Sequence, residues 1–177
     1  MRRARAQKGE ESGMGKSALL SSLGSGRVLE IVQFKVTEGA DLLEAIEEGV
    51  KVSGISCGVF VSGLGALRKA VFRNLKWWPK EFPVRPEDRL YLTLEQPLEL
   101  LSLSGWIAPR EGSEEVEVHA HFTASTVMND TVATLGGHLT KGTIAGIKVI
   151  VAIAKLEMPN ARVVSDESTR SSDIAFD

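Results

Sequence analysis

The stretch Glu115-Val116-Glu117-Val118-His119-Ala120-His121-Phe122-Thr123-Ala124 alternates with the two-residue period of a β-strand. Val116, Val118, Ala120, Phe122 and Ala124 share one face, which must meet a core, while His119 and His121 share the opposite face. Two imidazoles at positions i and i+2 of a strand project side by side, about 6.5–7 Å apart at the backbone, so both rings can reach one metal ion. The protein has 3 histidines. The third, His138, falls in Gly136-Gly137-His138, which reads as the start of a glycine-rich loop ending at Gly142, where glycine permits close backbone approach. Three imidazoles around a divalent ion, zinc by preference, leave one coordination position open, the arrangement of catalytic rather than closed structural sites. Glu115 and Glu117 share the histidine face and are candidates to hold imidazole N–H groups. If the ion activates water, Glu99 or Glu117 is the candidate proton acceptor.

Regular pattern begins at Arg27. Residues 28–36 read as a strand rich in branched side chains, and Asp41 with Glu44 opens a helix over about residues 41–53 whose apolar side chains follow one stripe. Ile55–Ser62 reads as a second strand closed by a tight turn at Gly63-Leu64-Gly65, and residues 66–76 as a third strand entering a hairpin. Prolines at 79, 83, 86 and 97 leave Arg89–Leu94 only a short or edge strand. Leu98–Ile107 and Val116–Thr126 are strands joined by a turn containing Pro109 and Gly112. Ile147–Leu156 is apolar on both faces and needs covering twice, by the helix and by a partner subunit. The expectation is a single α+β domain, with a mainly antiparallel sheet and one principal helix.

Composition bounds the possibilities. The chain has 177 residues, 43% hydrophobic and 25% charged, which supports one core and excludes disordered and collagen-like chains. Residues 1–26 carry five bases (Arg2, Arg3, Arg5, Lys8, Lys16) against two acids and read as a mobile basic arm; residues 27–177 keep 16 bases against 21 acids, a net of −5. The folded part therefore opposes a polyanion rather than attracting one. Cys57 is the single cysteine, which rules out an internal disulfide and fits a reducing compartment. No apolar run approaches the ~18 residues of a membrane helix, and Ala18-Leu19-Leu20 is too short for a secretory signal, so a cytoplasmic location is expected.

Several shorter patterns fail on inspection. Gly13-Met14-Gly15-Lys16-Ser17 resembles the end of a phosphate-cradling loop, but Glu10 stands where that pattern needs glycine. Gly63-x-Gly65 lacks the third glycine of a dinucleotide loop, Arg68 being there instead. Cys57 reads as a buried core residue, and Trp77-Trp78 as aromatics at a core edge or subunit contact.

Five segments occur together in a set order: Glu38-Gly39-Ala40-Asp41-Leu42, Val61-Ser62-Gly63-Leu64-Gly65-Ala66-Leu67, Glu99 through Ile107, His119-Ala120-His121-Phe122 and Gly136-Gly137-His138-Leu139. In this the chain resembles the plants-and-prokaryotes-conserved (PPC) domain over about residues 28–170. The resemblance implies an α+β domain assembling as a homotrimer, with His119, His121 and His138 as its metal-binding unit. It also implies a closing motif at Arg162 and Asp166, although Arg170 occupies a position where glycine is usual. Relatives in plants attach a minor-groove hook. Here Arg2-Arg3-Ala4-Arg5 has the charge without the Gly-Arg-Pro core, so DNA contact through residues 1–26 would be weak and confined to phosphates. Three functions stand open: a metal-binding trimeric module linked to regulation, a small metal-dependent hydrolase or lyase, and direct DNA binding through the arm.

Overall fold

The computed structural model describes residues 19–176. The basic side chains from Arg2 to Lys16 and the glycine–lysine segment at 13–17 lie outside them. Residues 19–26 carry no helix or strand, and the Phe176 amide donates to Ser22 Oγ at 3.1 Å. Strand β1 (Arg27–Lys35) leads into helix α1 (Leu42–Val52). The helix starts where the sequence suggests: the Asp41 carboxylate accepts from the amides of Leu43 (3.0 Å) and Glu44 (3.2 Å), two of the amides that helix geometry leaves unpaired. Its apolar stripe, Leu42, Ile46 and Val50, is buried, and Gly54 ends it at φ +59°.

A single strand of 18 residues follows, β2 (Gly58–Leu75). The expected turn at Gly63-Leu64-Gly65 is absent; the chain runs through it extended. Gly65 is required there for a different reason. It sits at φ +134°, and a Cβ on it would lie 2.5 Å from the Lys148 carbonyl oxygen. The hairpin after residue 76 does form, with Ala70–Leu75 pairing the short strand β3 (Arg89–Leu94).

Next come β4 (Leu98–Pro109), β5 (Val116–Met128), β6 (Thr131–Leu139), the two-residue β7 (Ile144–Ala145) and β8 (Ile150–Glu157). A separate hairpin, β9 (Arg162–Asp166) with β10 (Ser171–Ala175), completes the described chain. Every ladder of the main sheet is antiparallel, in the order β1-β8-β2-β4-β5-β6, and β6 returns to pair with β2 at Phe72 and Arg73. That return curls the sheet over on itself. Leu67, Phe72, Leu98, Ile107, Phe122, Leu139, Val151 and Ile153 then share one buried cluster with the helix stripe, and Phe72 stacks on Phe122 at 4.7 Å between ring centroids. The two-sided apolar strand is β8. Val151 and Ile153 face the helix, while the small Ala152 and Ala154 are buried on the outer side between flanking β1 and β2 residues.

The main local departure from the sequence reading concerns residues 136–139, which are strand rather than loop. Gly136 and Gly137 serve close approach, but between strands. A Cβ on Gly136 would lie 3.2 Å from the Phe122 carbonyl oxygen, and one on Gly137 would lie 2.9 Å from Asn74 Nδ2. Side chains here would push β6 away from β5 on one side and β2 on the other. Gly105 in β4 is tighter still: at φ +137°, an added Cβ would stand 1.9 Å from the His119 carbonyl oxygen. Gly105→Ala is therefore expected to cost about 3 kcal/mol or more, read as a fall in the urea midpoint; an unchanged midpoint would show that the β4–β5 ladder relaxes freely.

Candidate metal centre

The histidines owe their meeting to strand register. β5 and β6 are joined by Asn129-Asp130, both left-handed at φ +49° and +57°, the conformation of a two-residue hairpin turn that asparagine and aspartate tolerate. Met128 pairs Thr131 across this turn, and counting back along the ladder places His121 directly opposite His138. On the other edge of β5, His119 pairs Trp106 and His121 pairs Ser104. Directly opposed residues share a sheet face. Core-facing Ala120 and Phe122 are buried, so all three imidazoles stand on the outer face.

Their ligand nitrogens all lie within 4.8 Å of one another. His119 Nε2 and His121 Nε2 are 3.3 Å apart, and the His138 ring stands edge-on to both, with centroids 4.8 Å from His119 and 5.0 Å from His121. An ion bonded at about 2.0–2.1 Å to two imidazole nitrogens in a tetrahedral array holds those nitrogens about 3.3–3.4 Å apart. The spacing and the all-nitrogen donor set thus fit a borderline ion such as zinc. Trp106 stacks on His119 at 5.0 Å with the planes 20° apart and fixes that ring from the side.

Electrostatics favour the form that binds metal. Burial is the first cause lowering the pKa of each ring, and the positive charge of Arg73 adds to it in all three; His138 falls to about 3. The rings are neutral at pH 7, as a ligand must be. Arg73 was not singled out by the sequence pattern. It pairs directly with His138 across β2 and β6, and with Tyr91 across β2 and β3. Alternation in Arg68–Arg73 is the signal that places it on one face, but nothing local points to β6.

The acidic candidates are placed differently. Glu117 shares the histidine face and raises the His119 pKa, yet its Oε2 sits 2.8 Å from the Arg110 guanidinium. Glu115 lines a cavity of about 800 Å³ beside the end of α1, together with Glu47, Lys51, Arg110 and Glu117 itself. Glu99 pairs with Ser125, four residues along β5 from His121 and so about 13 Å away by strand rise. Arg162 bonds Glu111, and Asp166 accepts from Ser168 and Thr169 in the β9–β10 turn, which holds its carboxyl at about 2. Neither belongs to the histidine cluster. Cys57 is buried and its thiol pKa is raised by that burial. Trp77 donates to Asp88 at 2.8 Å, and Trp78 stands 79% exposed against the edge of Phe82.

The profile of the Plants and Prokaryotes Conserved (PCC) domain matches residues 23–157. Among curated proteins, none matches the chain. Solved structures share the fold. A metal-containing protein from Archaeoglobus fulgidus is similar with a TM-score of 0.67 at 23% identity, over 86% of this chain and 97% of that one. A plant- and prokaryote-conserved (PPC) protein from Pyrococcus horikoshii gives 0.65 at 22%, over 85% and 94%. A proposed DNA-binding protein from Bacteroides thetaiotaomicron gives 0.65 at 18%, over 86% and 97%.

The lowered ring pKa values fix a pH dependence for the metal-free protein. Each folded value lies below the unfolded 6.5, so under that pH the unfolded chain binds more protons. The stability that the neutral rings contribute is complete above pH 6.5 and is lost as pH falls, the His138 share toward about pH 3. Chelator-treated protein should show a declining Tm between pH 7 and pH 4, with a shallower decline in His138→Asn. Equal slopes for the two proteins would count against buried, neutral rings.

Proposed function

The chain belongs to the Plants and Prokaryotes Conserved (PCC) domain family, and from that premise we propose that it is a metal-binding module whose His119, His121 and His138 hold one divalent ion, zinc by preference. The observation that carries this reading is the convergence of three neutral imidazoles on one face, with two Nε2 atoms at ligand spacing. An ion there would supply a Lewis-acid centre with an open position. The chain's own part is to hold the rings: Trp106 braces His119, and the cross-strand pairing of His121 with His138 sets the distance between those two. The Archaeoglobus fulgidus protein is described as metal-containing, which supports the same reading here.

Ligand holding fits the site better than hydrolysis. A general base must come within hydrogen-bond reach of the proton that it removes. Glu117 is engaged by Arg110 and Glu99 lies far along the ladder, so neither stands ready at the open position. Direct DNA contact would fall to Arg2, Arg3, Arg5, Lys8 and Lys16, because residues 27–177 carry a net of −5. Among the described residues no helix is long and apolar enough to cross a membrane. With Cys57 unpaired and buried, a reducing compartment such as the cytoplasm suits the chain.

The same proposal includes assembly as a homotrimer. Ile31, Val59, Val61, Leu64, Leu101 and Ile150 are exposed large apolar residues on β1, β2, β4 and β8. Ile31 pairs Ala154, Ala154 pairs Val59, and Val59 pairs Trp106, so an apolar row crosses the outer face of four strands. A row of this kind is better explained by a covering subunit than by solvent.

Two measurements test these statements. Elemental analysis should find one zinc per chain after zinc loading and dialysis, removable by chelator and lost in His121→Ala and His138→Ala; retention in both variants would end the three-histidine assignment. Light scattering should give three times the mass of one chain, falling in Val59→Asp; a monomeric wild-type protein would refute the trimer.

A further inference from the structure

The charge around the histidines does not balance. Arg73 is half-buried, and burial is the first cause lowering its pKa, followed by the like charge of Arg89. Tyr91, directly opposite it on β3, favours its charged form, and among the described residues no acidic side chain pairs with it. A partly desolvated guanidinium without a carboxylate is costly, and a bound anion would offset that cost.

Cross-strand pairing sets the position of that charge. Tyr91, Arg73, His138, His121 and Ser104 form a continuous row of directly opposed residues over β3, β2, β6, β5 and β4. Opposed side chains on one face have Cβ atoms about 4.5–5.5 Å apart. Arg73 acts electrostatically on all three histidines, and Arg89 on His138. The acids that bear on the cluster are Glu117, already paired with Arg110 at 2.8 Å, and Asp173 on β10, which reaches His119. Adding a divalent ion to three neutral rings beside Arg73 and Arg89 leaves a clear positive excess.

We infer that the row from Arg73 to His121 is a binding site for a small oxyanion, a carboxylate or phosphate group shared between the histidine-held ion and the Arg73 guanidinium. This inference rests on the metal reading above. The planar fork of arginine presents parallel N–H donors matched to two oxygens of such a group, which a lysine cannot do. Tyr91 flanks the fork from β3, and Trp106 stacks on the far side of His119. No covalent step is involved; the anion completes the coordination and neutralises the charge.

The test uses the full chain loaded with cobalt(II), whose visible spectrum reports on its ligands. Sodium phosphate and sodium acetate are titrated separately at constant ionic strength. Saturable spectral change with either anion is expected, phosphate alone indicating a dianion site and acetate a carboxylate site. Arg73→Gln should keep one metal per chain yet need about tenfold more anion for half-saturation, the loss expected for a charge-assisted hydrogen bond. Arg73→Lys, which keeps the charge and should fold like the parent, should fall between the two. No saturable change with either anion, or equal affinity in Arg73→Gln and Arg73→Lys to the wild type, overturns the oxyanion site and leaves the metal reading intact. A wild-type protein that takes up no cobalt or zinc overturns both.

Discussion

The register of the β5–β6 hairpin is the constraint on which the site depends. Side chains of a strand alternate faces, so a slip of one residue would send His138 inward toward Phe122 and bring Gly137 or Leu139 to the outer face. Two features hold the register. Asn129 and Asp130 accept left-handed backbone in a two-residue turn, and Gly136 with Gly137 lets β6 lie close to β5 and β2 together. The closure of β6 onto β2 then brings Arg73 into the row. Side chains from residues 73, 106, 119, 121 and 138 meet because one sheet curls, without help from an active-site loop.

Burial and charge act in the same direction on the three rings. Desolvation disfavours the imidazolium form, and Arg73 disfavours it further. The cluster therefore presents lone pairs rather than protons at neutral pH. Keeping a partly buried guanidinium without a carboxylate beside it costs folding free energy, which negative charge arriving from outside would offset.

Much of this was legible in the sequence because its signals are local. Asp41 and the stripe Leu42, Ile46, Val50 specify α1, and the alternation from Val116 to Ala124 specifies β5 with its histidine face. The pairing of Arg89–Leu94 as a short strand also follows from the surrounding prolines. What escaped were the glycines. Gly63, Gly65, Gly136 and Gly137 read locally as turns or loop, yet each lies in a strand where a neighbouring strand or side chain leaves little room for a Cβ. That requirement is set by residues such as Leu103, Lys148, Phe122 and Asn74, distant in sequence, and no periodicity reports it. Arg73 escaped for the same reason: its partner His138 is fixed by the curl of the sheet, which is a property of the whole chain.

The row Ile31, Ala154, Val59, Trp106 continues to His119 without a break. The apolar outer face and the imidazoles are thus neighbours on one surface. A subunit seated on that surface would displace water beside Trp106 and sharpen every charge interaction at the rings. Ion occupancy and self-association would then be linked equilibria, each changing the other by the same factor. In such an assembly protein concentration would enter the metal equilibrium, because the rings and the contact surface are one continuous face.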